Sequence, residues 1–290
     1  RYYADNAAEF LQSKPIKTEA YKSYVHYEPQ GIILGIMPWN FPFWQVFRFS
    51  VPAIMAGNVA VLKHASNVFG AAVAIEQVYK DAGLPQGVFT SLLIPSKEVE
   101  SVIANSYIKG VVLTGSEDAG SIVASQAGKH LKKSVLELGG SNAMIVMEDC
   151  DIENTLEACI QGRFLNTGQS CIAGKRLLVH KNIVSEFTDK LIDRIHAMQC
   201  GSPLDKDTFI GVLAREDLAI KLEKQVNHSI AMGAELLIGG KREGPFYTPT
   251  VLSEVKPEMP VCNEEVFGPV LPIIAFETLE EAISISNSTD

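Results

Sequence analysis

Residues 58–94, NVAVLKHASNVFGAAVAIEQVYKDAGLPQGVFTSLLI, decide the fold class of this chain. Residues 58–63 are a short apolar run that predicts a strand, and residues 68–81 predict a helix that ends before Gly83. Residues 88–94 predict the next strand. Short strands rich in Val, Ile and Leu that alternate with helices are typical of a parallel, doubly wound α/β sheet.

The same alternation continues towards both ends of the chain. It runs to a strand that ends at Leu138, and a second α/β segment begins at residue 143, so we expect a boundary near Gly139-Gly140. The further elements that we predict are helices at residues 1–11, 42–55, 97–105, 117–128, 152–165, 182–197, 216–232 and 279–286, and strands at residues 110–113, 134–138, 143–147, 176–179, 235–238 and 270–275.

A hairpin signal precedes this alternation. Residues 22–28 roughly alternate apolar and polar side chains, residues 31–36 are an apolar run, and the turn-forming Pro29-Gln30-Gly31 lies between them. We therefore predict that the two segments pair as a β-hairpin, which needs a partner surface to be stable.

Composition excludes several classes of protein. The chain has 290 residues, 47% of them apolar, and a net charge of −9 without a basic cluster, which disfavours nucleic acid and anionic membrane surfaces as partners. The longest apolar stretch, residues 31–37, is too short to span a bilayer. The five cysteines are odd in number and form no CxxC pair, which argues against a disulfide framework or a zinc site and favours the cytoplasm; no metal site is expected.

Two residue types at strand ends suggest chemistry. Cys171 ends the stretch Asn166-Thr167-Gly168-Gln169-Ser170-Cys171, just before a predicted strand, and Glu137 lies at the end of another. A thiolate nucleophile and a carboxylate base together predict covalent catalysis with a hydrolytic second step. Each residue alone has an ordinary interpretation, the cysteine as core filler and the glutamate as a solvated charge.

Three more polar groups lie where predicted strands end. Asn40 precedes a helix, where its amide either donates to an oxyanion or caps the helix. Lys63 either binds ribose or phosphate or is a solvated strand-end lysine. Gly115-Ser116 opens a helix and is either a phosphate cradle or an ordinary serine cap, and the chain contains no GxGxxG sequence.

Arg48 and the segment around Glu265 complete the candidate residues. Arg48 is the only charged residue between Glu28 and Lys63, on a helix that we predict to be buried on most sides, so its guanidinium needs an anion. That anion is either an internal carboxylate or a substrate carboxylate. Glu265 is a candidate for binding ribose and Phe267 for flanking a nicotinamide; the alternative is a capped helix start with a core phenylalanine.

Taken together, these segments resemble the aldehyde dehydrogenase superfamily. The resemblance implies that Cys171 is the nucleophile, that Glu137 activates the deacylating water, and that the Asn40 amide and the Cys171 backbone N–H form the oxyanion hole. It also implies oxidation of an aldehyde to a carboxylic acid through a thiohemiacetal and a thioester, with NADP or NAD as cofactor. The matching segments are Pro38-Trp39-Asn40, Leu62-Lys63, residues 113–116 (LTGS), 137–140 (ELGG), 168–171 (GQSC) and 265–269 (EVFGP). The cofactor-binding residues implied are Trp39, Lys63, Ser66, Gly115, Ser116, Glu265 and Phe267.

Within the superfamily, the chain is similar to bacterial enzymes that oxidise succinate semialdehyde. Arg48 matches a position that holds the remote carboxylate of the substrate in related enzymes, and Arg163 substitutes for a second arginine at a position occupied here by Leu165. Ser66 stands where many NAD-preferring members carry a glutamate, so we expect NADP to be accepted at least as well as NAD. The further matching segments are residues 43–46, 62–65, 82–87 and 162–164.

The resemblance also implies domain roles and assembly. Residues 1–20 and 37–138 would form a dinucleotide-binding domain, residues 21–36 a bridging hairpin for oligomerisation, and residues 139–290 a catalytic domain. The full-length protein would be a homo-oligomer, a dimer or a tetramer. Because family members extend beyond both ends of this sequence, we expect a fragment that has little or no activity alone.

Three other functions are weighed against this one. A coenzyme A-acylating dehydrogenase is disfavoured by Glu137, which that branch usually lacks. A non-catalytic scaffold is disfavoured by the presence of Cys171, Glu137 and Asn40 together. A cysteine hydrolase is disfavoured because no motif relates His180 to Cys171.

Overall fold

The structure is a computed structural model that describes residues 1–289. The chain divides into two compact units, residues 1–138 and the residues from Gly139 onward. Each unit is built around its own five-stranded sheet.

The first unit contains a parallel sheet with helices between its strands. The strands of the sheet follow the order β5-β4-β3-β6-β7, and a separate antiparallel ribbon pairs β1 with β2. The elements are α1 Tyr2–Phe10, β1 Lys14–Pro15, β2 Tyr24–Val25, β3 Ile32–Met37, α2 Trp44–Met55, β4 Val59–His64, α3 Phe69–Asp81, β5 Phe89–Leu92, α4 Val99–Ala104, β6 Ile108–Thr114, α5 Glu117–Lys129 and β7 Lys133–Glu137, with short 3-10 turns at Ser66–Val68 and Ser96–Glu98.

The predicted hairpin of residues 22–36 is wrong. Residues 24–25 pair with Lys14–Pro15 instead, and β3 lies in the middle of the sheet, where it pairs in parallel with β4 on one side and β6 on the other. The physical reason lies in the composition of β3, an unbroken apolar run, because parallel strands covered on both faces lack the alternation of a half-exposed hairpin strand. The turn before it, with Gly31 at φ +121°, leads into the sheet.

Helices cover both faces of this sheet, as the doubly wound prediction requires. One core cluster packs Val46 and Phe49 of α2 with residues of α3 and β4. The other packs Leu34 of β3 with residues of α4, α5 and β6. Gly35 faces α2, and a Cβ atom there would overlap the ring of Phe49, so the helix approaches β3 closely because this position has no side chain.

The strand order brings several strand ends to one edge of the sheet. The chain runs from β3 outward to β5, then returns to the other side of β3 for β6 and β7. In dinucleotide-binding sheets the order of the strands switches from one side of the first strand to the other in the same way. Their ligands bind outside the carboxyl ends of the strands next to this switch. The residues at those ends are Met37, His64, Thr114 and Glu137.

The second unit is also α/β, with one antiparallel edge strand. Its sheet has the order β10-β13-β14-β9-β8, in which only the β10–β13 pair is antiparallel among the residues described. The elements are β8 Ala143–Val146, α6 Ile152–Phe164, β9 Arg176–His180, α7 Val184–His196, α8 Glu216–Ala231, β10 Glu235–Ile238, β11 Arg242–Glu243, β12 Phe246–Tyr247, β13 Thr250–Ser253, α9 Pro260–Asn263, β14 Val270–Phe276 and α10 Leu279–Ser286, with a 3-10 turn at Leu165–Gly168.

The core of the second unit is formed by two clusters of buried apolar side chains around this sheet. The short strands β11, β12 and β13 and the one-turn helix α9 were not predicted, because segments of two to four residues carry little periodicity. The nine predicted helices and all the other predicted strands are present, with ends that differ by a few residues. Within residues 1–289, no helix is both long and apolar enough to cross a membrane.

Candidate active site

The loop before Cys171 has an unusual backbone. Asn166, Thr167 and Gly168 are consecutive residues in the left-handed region, with φ of 55°, 58° and 71°. Non-glycine residues in this region cost on the order of 1 kcal/mol or more each and persist only where their surroundings hold them. The loop is therefore a strained segment directly before the candidate nucleophile.

Buried hydrogen bonds hold this loop in place. The Thr167 Oγ1 atom accepts a hydrogen bond from the Gly211 N–H at 3.1 Å, and the Gln169 Oε1 atom accepts one from the Ala214 N–H at 2.9 Å. Gly168 lies directly against the carbonyl of Gly268, where a Cβ atom has no room. Both the conformation and the packing therefore require glycine at this position.

Cys171 differs from the structural cysteines of its unit. Its side chain is partly exposed, whereas Cys159 and Cys262 are buried. Burial raises the pKa of Cys159 to about 11 and that of Cys262 to about 12, so both remain protonated and inert at neutral pH. Partial exposure at the end of a strained loop is the setting expected of a reactive thiol.

Lys175, which lies four residues after Cys171, was not among the site residues predicted from the sequence. Its side chain is completely buried, and its Nζ atom donates to the Cys171 carbonyl oxygen at 2.8 Å and lies 3.3 Å from the Glu265 Oε1 atom. Burial lowers the pKa of Lys175, while the Glu265 carboxylate opposes that shift. Its position four residues after the cysteine could have indicated a lysine close to the nucleophile, but sequence spacing alone does not show that the side chain is buried.

Glu265 and Phe267 lie in the segment between α9 and β14, and both are partly buried. Gly139 packs against the Glu265 carboxylate so closely that a Cβ atom would overlap it. Gln225 of α8 donates to the Glu265 carbonyl oxygen at 3.3 Å and to the Glu264 carboxylate at 2.8 Å. Gln225 thus holds the backbone of the segment, and Gly139 packs against one face of the Glu265 carboxylate.

The expectation that Arg163 binds the substrate is wrong. Arg163 is fully buried and donates to the carbonyl oxygens of Val270, at 2.7 Å, of Val266, at 3.1 Å, and of Gly268. Burial lowers its pKa to about 9, which leaves the guanidinium cationic at neutral pH. The fork of this arginine thus clamps the 266–270 backbone, because a fully buried guanidinium takes the nearest acceptors rather than a solvated ligand.

In the first unit, a buried histidine organises the loop that carries Trp39 and Asn40. Both residues follow β3 and are partly buried. The His64 Nε2 atom lies 2.9 Å from the Pro42 carbonyl oxygen, and its Nδ1 atom lies 3.1 Å from the Met37 carbonyl oxygen and 3.0 Å from the Ala65 N–H. Burial lowers the pKa of His64, while the contacts to the Pro42 and Met37 carbonyl oxygens oppose that shift.

The candidate cofactor residues of the first unit lie along the carboxyl edge of its sheet. Lys63 lies near the end of β4, and its side chain is buried. Its Nζ atom lies 3.3 Å from the Ser96 Oγ atom, and burial lowers the pKa of the ammonium. Ser66 is exposed in the turn that follows. Gly115 and the exposed Ser116 lead into α5, and the Ser116 Oγ atom accepts from the Ala119 N–H, so Ser116 is the helix cap that was one of its two interpretations.

Arg48 has an internal carboxylate as its partner, and that carboxylate belongs to Glu137. The Arg48 Nη2 atom lies 3.0 Å from the Glu137 Oε1 atom, and both side chains are nearly half exposed. The expectation that α2 is buried on most sides is wrong, since Trp44 and Met55 are exposed and only one face of the helix packs on the sheet. A pocket of about 190 Å³, lined by Gln45, Arg48, Phe49, Val112, Thr114, Val135 and Glu137, adjoins the ion pair.

These features define an α/β protein with one unit of dinucleotide-binding topology and a second unit that carries a partly exposed cysteine on a strained loop. The chain belongs to the aldehyde dehydrogenase family, whose model matches residues 1–290.

Three known proteins show the range of similarity. The chain is 45% identical over 290 residues to a probable NADP-dependent succinate-semialdehyde dehydrogenase of Synechocystis and 44% identical over 292 residues to the NAD(P)-dependent succinate semialdehyde dehydrogenase Sad of Escherichia coli. Those alignments cover 99% and 100% of this chain but 64% and 63% of the relatives. The crystal structure of the Streptococcus pyogenes succinic semialdehyde dehydrogenase with NADP superposes with a TM-score of 0.96 at 36% identity, over 99% of this chain and 64% of that one.

Proposed function

We propose that this chain is part of an enzyme that oxidises succinate semialdehyde to the carboxylic acid with NADP or NAD as hydride acceptor. The observation that carries the proposal is the partly exposed Cys171 on its strained, hydrogen-bonded loop. The names of the relatives support the substrate and the cofactor.

The donors along the carboxyl edge of the first sheet fit a nicotinamide dinucleotide. The Lys63 ammonium and the Ser66 hydroxyl suit ribose and phosphate oxygens, and the N-terminus of α5 after Gly115-Ser116 suits a pyrophosphate. In the second unit, the partly buried Glu265 carboxylate suits ribose hydroxyls and the partly buried Phe267 ring suits a flat heteroaromatic surface.

In the acylation half of the proposed reaction, Cys171 forms a covalent bond with the aldehyde carbon. The Cys171 thiolate attacks the aldehyde carbonyl, and the Asn40 amide and the Cys171 backbone N–H donate to the oxyanion that forms. A nicotinamide dinucleotide held by Lys63, Ser66 and Glu265 would supply the acceptor for the hydride that leaves the tetrahedral adduct. A thioester on Cys171 results.

In the deacylation half, Glu137 acts as the base, and this requires its ion pair with Arg48 to open. In the structure the guanidinium holds the carboxylate that must accept a proton from water. Exposed ion pairs of this kind are worth only about 0–1 kcal/mol, so a substrate carboxylate displaces Glu137 from Arg48 at little cost. Binding of succinate semialdehyde at Arg48 thereby frees the Glu137 carboxylate for its role as base.

Replacing Arg48 with Met tests the substrate. We expect KM for succinate semialdehyde to rise about tenfold or more, because a charge-assisted contact to the substrate carboxylate is lost. KM for butanal, an uncharged aldehyde of the same length, should stay within about twofold. Steady-state kinetics of the full-length wild-type protein and of the same protein with the substitution, each with both aldehydes, measure this.

The matched control is Arg215→Met, since Arg215 is an equally exposed arginine that pairs with Asp217. That variant should leave both KM values unchanged. If wild-type protein oxidises butanal as efficiently as succinate semialdehyde, the assigned substrate is wrong although aldehyde oxidation stands.

Cofactor choice is tested at Ser66. We expect kcat/KM of the wild-type protein with NADP to equal or exceed the value with NAD, because no acid at this position repels a 2′-phosphate. Ser66→Glu should lower kcat/KM with NADP about tenfold or more through like-charge repulsion and leave the value with NAD nearly unchanged. Ser101→Glu, on the exposed side of α4, is the control, and a strong wild-type preference for NAD would contradict the assignment.

The proposal extends to assembly and location. The first unit serves as the dinucleotide-binding domain and the second as the catalytic domain of a cytoplasmic homo-oligomer, a dimer or a tetramer. The β1–β2 ribbon supports the oligomer, since Tyr24 and Val25 of β2 and Ile16, directly after β1, are exposed apolar side chains. The five free thiols are consistent with a reducing compartment. Sedimentation of the full-length protein measures the assembly.

A further inference from the structure

A completely buried ammonium beside the nucleophile has no role in the reaction described so far. Lysine is almost never fully buried unless it is paired, because the charged form loses its hydration. Lys175 meets this requirement through two contacts, the Cys171 carbonyl oxygen at 2.8 Å and the Glu265 Oε1 atom at 3.3 Å. Its ammonium therefore joins two groups that are 94 positions apart in the chain.

The geometry around Glu265 leaves its carboxylate few alternatives. Gly139 packs against it on one side, Gln225 holds its backbone carbonyl, and Arg163 clamps the backbone immediately after it. Two buried cations lie near this carboxylate. Arg163 donates through Nε and Nη2 to backbone carbonyls, whereas Lys175 is in ion-pair contact with Oε1. The direction of the carboxylate thus depends on Lys175.

We propose that Lys175 is a positioning residue that couples the nucleophile loop to the carboxylate that receives the nicotinamide ribose. The same ammonium holds the backbone of Cys171 and orients the Glu265 carboxylate. The position of the thiol and the position of the cofactor-binding carboxylate therefore depend on one side chain. This inference rests on the proposed function, because it takes Cys171 as the nucleophile and Glu265 as a cofactor contact.

A double-mutant cycle on the full-length protein tests the coupling. The variants are Lys175→Met, which removes the charge, Glu265→Gln, which removes the carboxylate, and the combination of the two. Two readouts are independent of turnover: the Kd of NADP from nucleotide fluorescence or calorimetry, and the rate constant for alkylation of Cys171 by iodoacetamide in the absence of nucleotide.

We expect Lys175→Met and Glu265→Gln each to raise the Kd of NADP about tenfold, and the double variant to raise it by less than about twofold beyond either single variant, since both changes disable one unit. The alkylation rate constant of Cys171 should change at least about threefold in Lys175→Met and stay nearly constant in Glu265→Gln, because only Lys175 holds the Cys171 carbonyl. Lys175→Arg, which keeps the charge, should recover most of the NADP affinity.

Lys181→Met is the matched control, since Lys181 lies on the exposed surface and pairs with Glu277 at 2.8 Å. It should change neither readout. If Lys175→Met does not fold, as its circular dichroism would show, Lys175→Gln takes its place in the cycle on the Kd of NADP, because it removes the charge. The alkylation rate constant should then stay nearly constant, since glutamine keeps a donor for the Cys171 carbonyl.

The outcomes separate this inference from the proposed function. Additive effects on the Kd of NADP, or a Kd that removal of the Lys175 charge leaves unchanged, would overturn the coupling. Wild-type binding of NADP would leave the proposed function intact in that case. Wild-type protein that does not bind NADP would instead remove the proposed function itself.

Discussion

Replacing Cys171 with Ala is expected to abolish aldehyde oxidation while the protein still folds and binds NADP. The thiol is partly exposed at the end of the strained loop, and no covalent adduct forms without it. We expect kcat to fall at least about 1,000-fold, as is usual when a covalent nucleophile is removed. The change deletes one sulfur atom from a partly exposed position, so the thermal midpoint should shift little.

The measurement pairs reduced-nucleotide formation at saturating aldehyde with the Kd of NADP for the same preparation. Cys200→Ala is the matched control, because Cys200 is the exposed cysteine of the same unit and lies outside the loop. That variant should keep wild-type turnover.

Turnover by Cys171→Ala at more than a few per cent of wild type would show that another group attacks the carbonyl. Loss of turnover in both cysteine variants would point to a general effect on the fold. Retained NADP binding without any turnover in the full-length wild-type protein would favour the non-catalytic scaffold.

The parallel sheet of the first unit follows from the sequence because its strands and helices carry strong local patterns. The exception is β3, where a turn signal at Pro29-Gln30-Gly31 suggested a hairpin and the pairing partners were in fact β4 and β6. Strand pairing is a long-range choice that local periodicity does not encode. The unbroken apolar composition of Ile32–Met37 was the better guide to its place in the sheet.

The sequence indicates candidate residues where chemistry depends on residue type and position along a strand, as for Cys171 and Glu137, whose roles remain predictions. The site was not predictable where a role depends on burial. Arg163 and Lys175 are charged residues that the sequence would place near solvent, yet both are fully buried and hold backbone carbonyls. The pairing of Arg48 with Glu137 joins residues that are 89 positions apart, and nothing in either local sequence marks it.

Replacing Glu137 with Gln is expected to stop the reaction after acylation. Gln keeps the shape of the side chain but does not accept the proton of the attacking water, so the thioester on Cys171 should accumulate. We expect a burst of about one reduced nucleotide per active site followed by a steady-state rate about 100-fold or more below wild type. Rapid-quench kinetics and the intact mass of the acylated protein measure the burst and the adduct.

The ion pair with Arg48 allows this effect to be separated from a structural one. Glu137→Gln and Arg48→Met break the same contact, and since both side chains are nearly half exposed, each should alter stability by less than about 1 kcal/mol. Only loss of the carboxylate should produce the burst, because Arg48→Met leaves the base in place and already free of the ion pair. That variant should turn over butanal at least as fast as wild type, without adduct accumulation. A burst in both variants would mean that the ion pair itself is required for deacylation. Linear wild-type kinetics in Glu137→Gln would mean that a different group activates the water, and acceleration by coenzyme A with a thioester product would reassign the chain to acyl transfer.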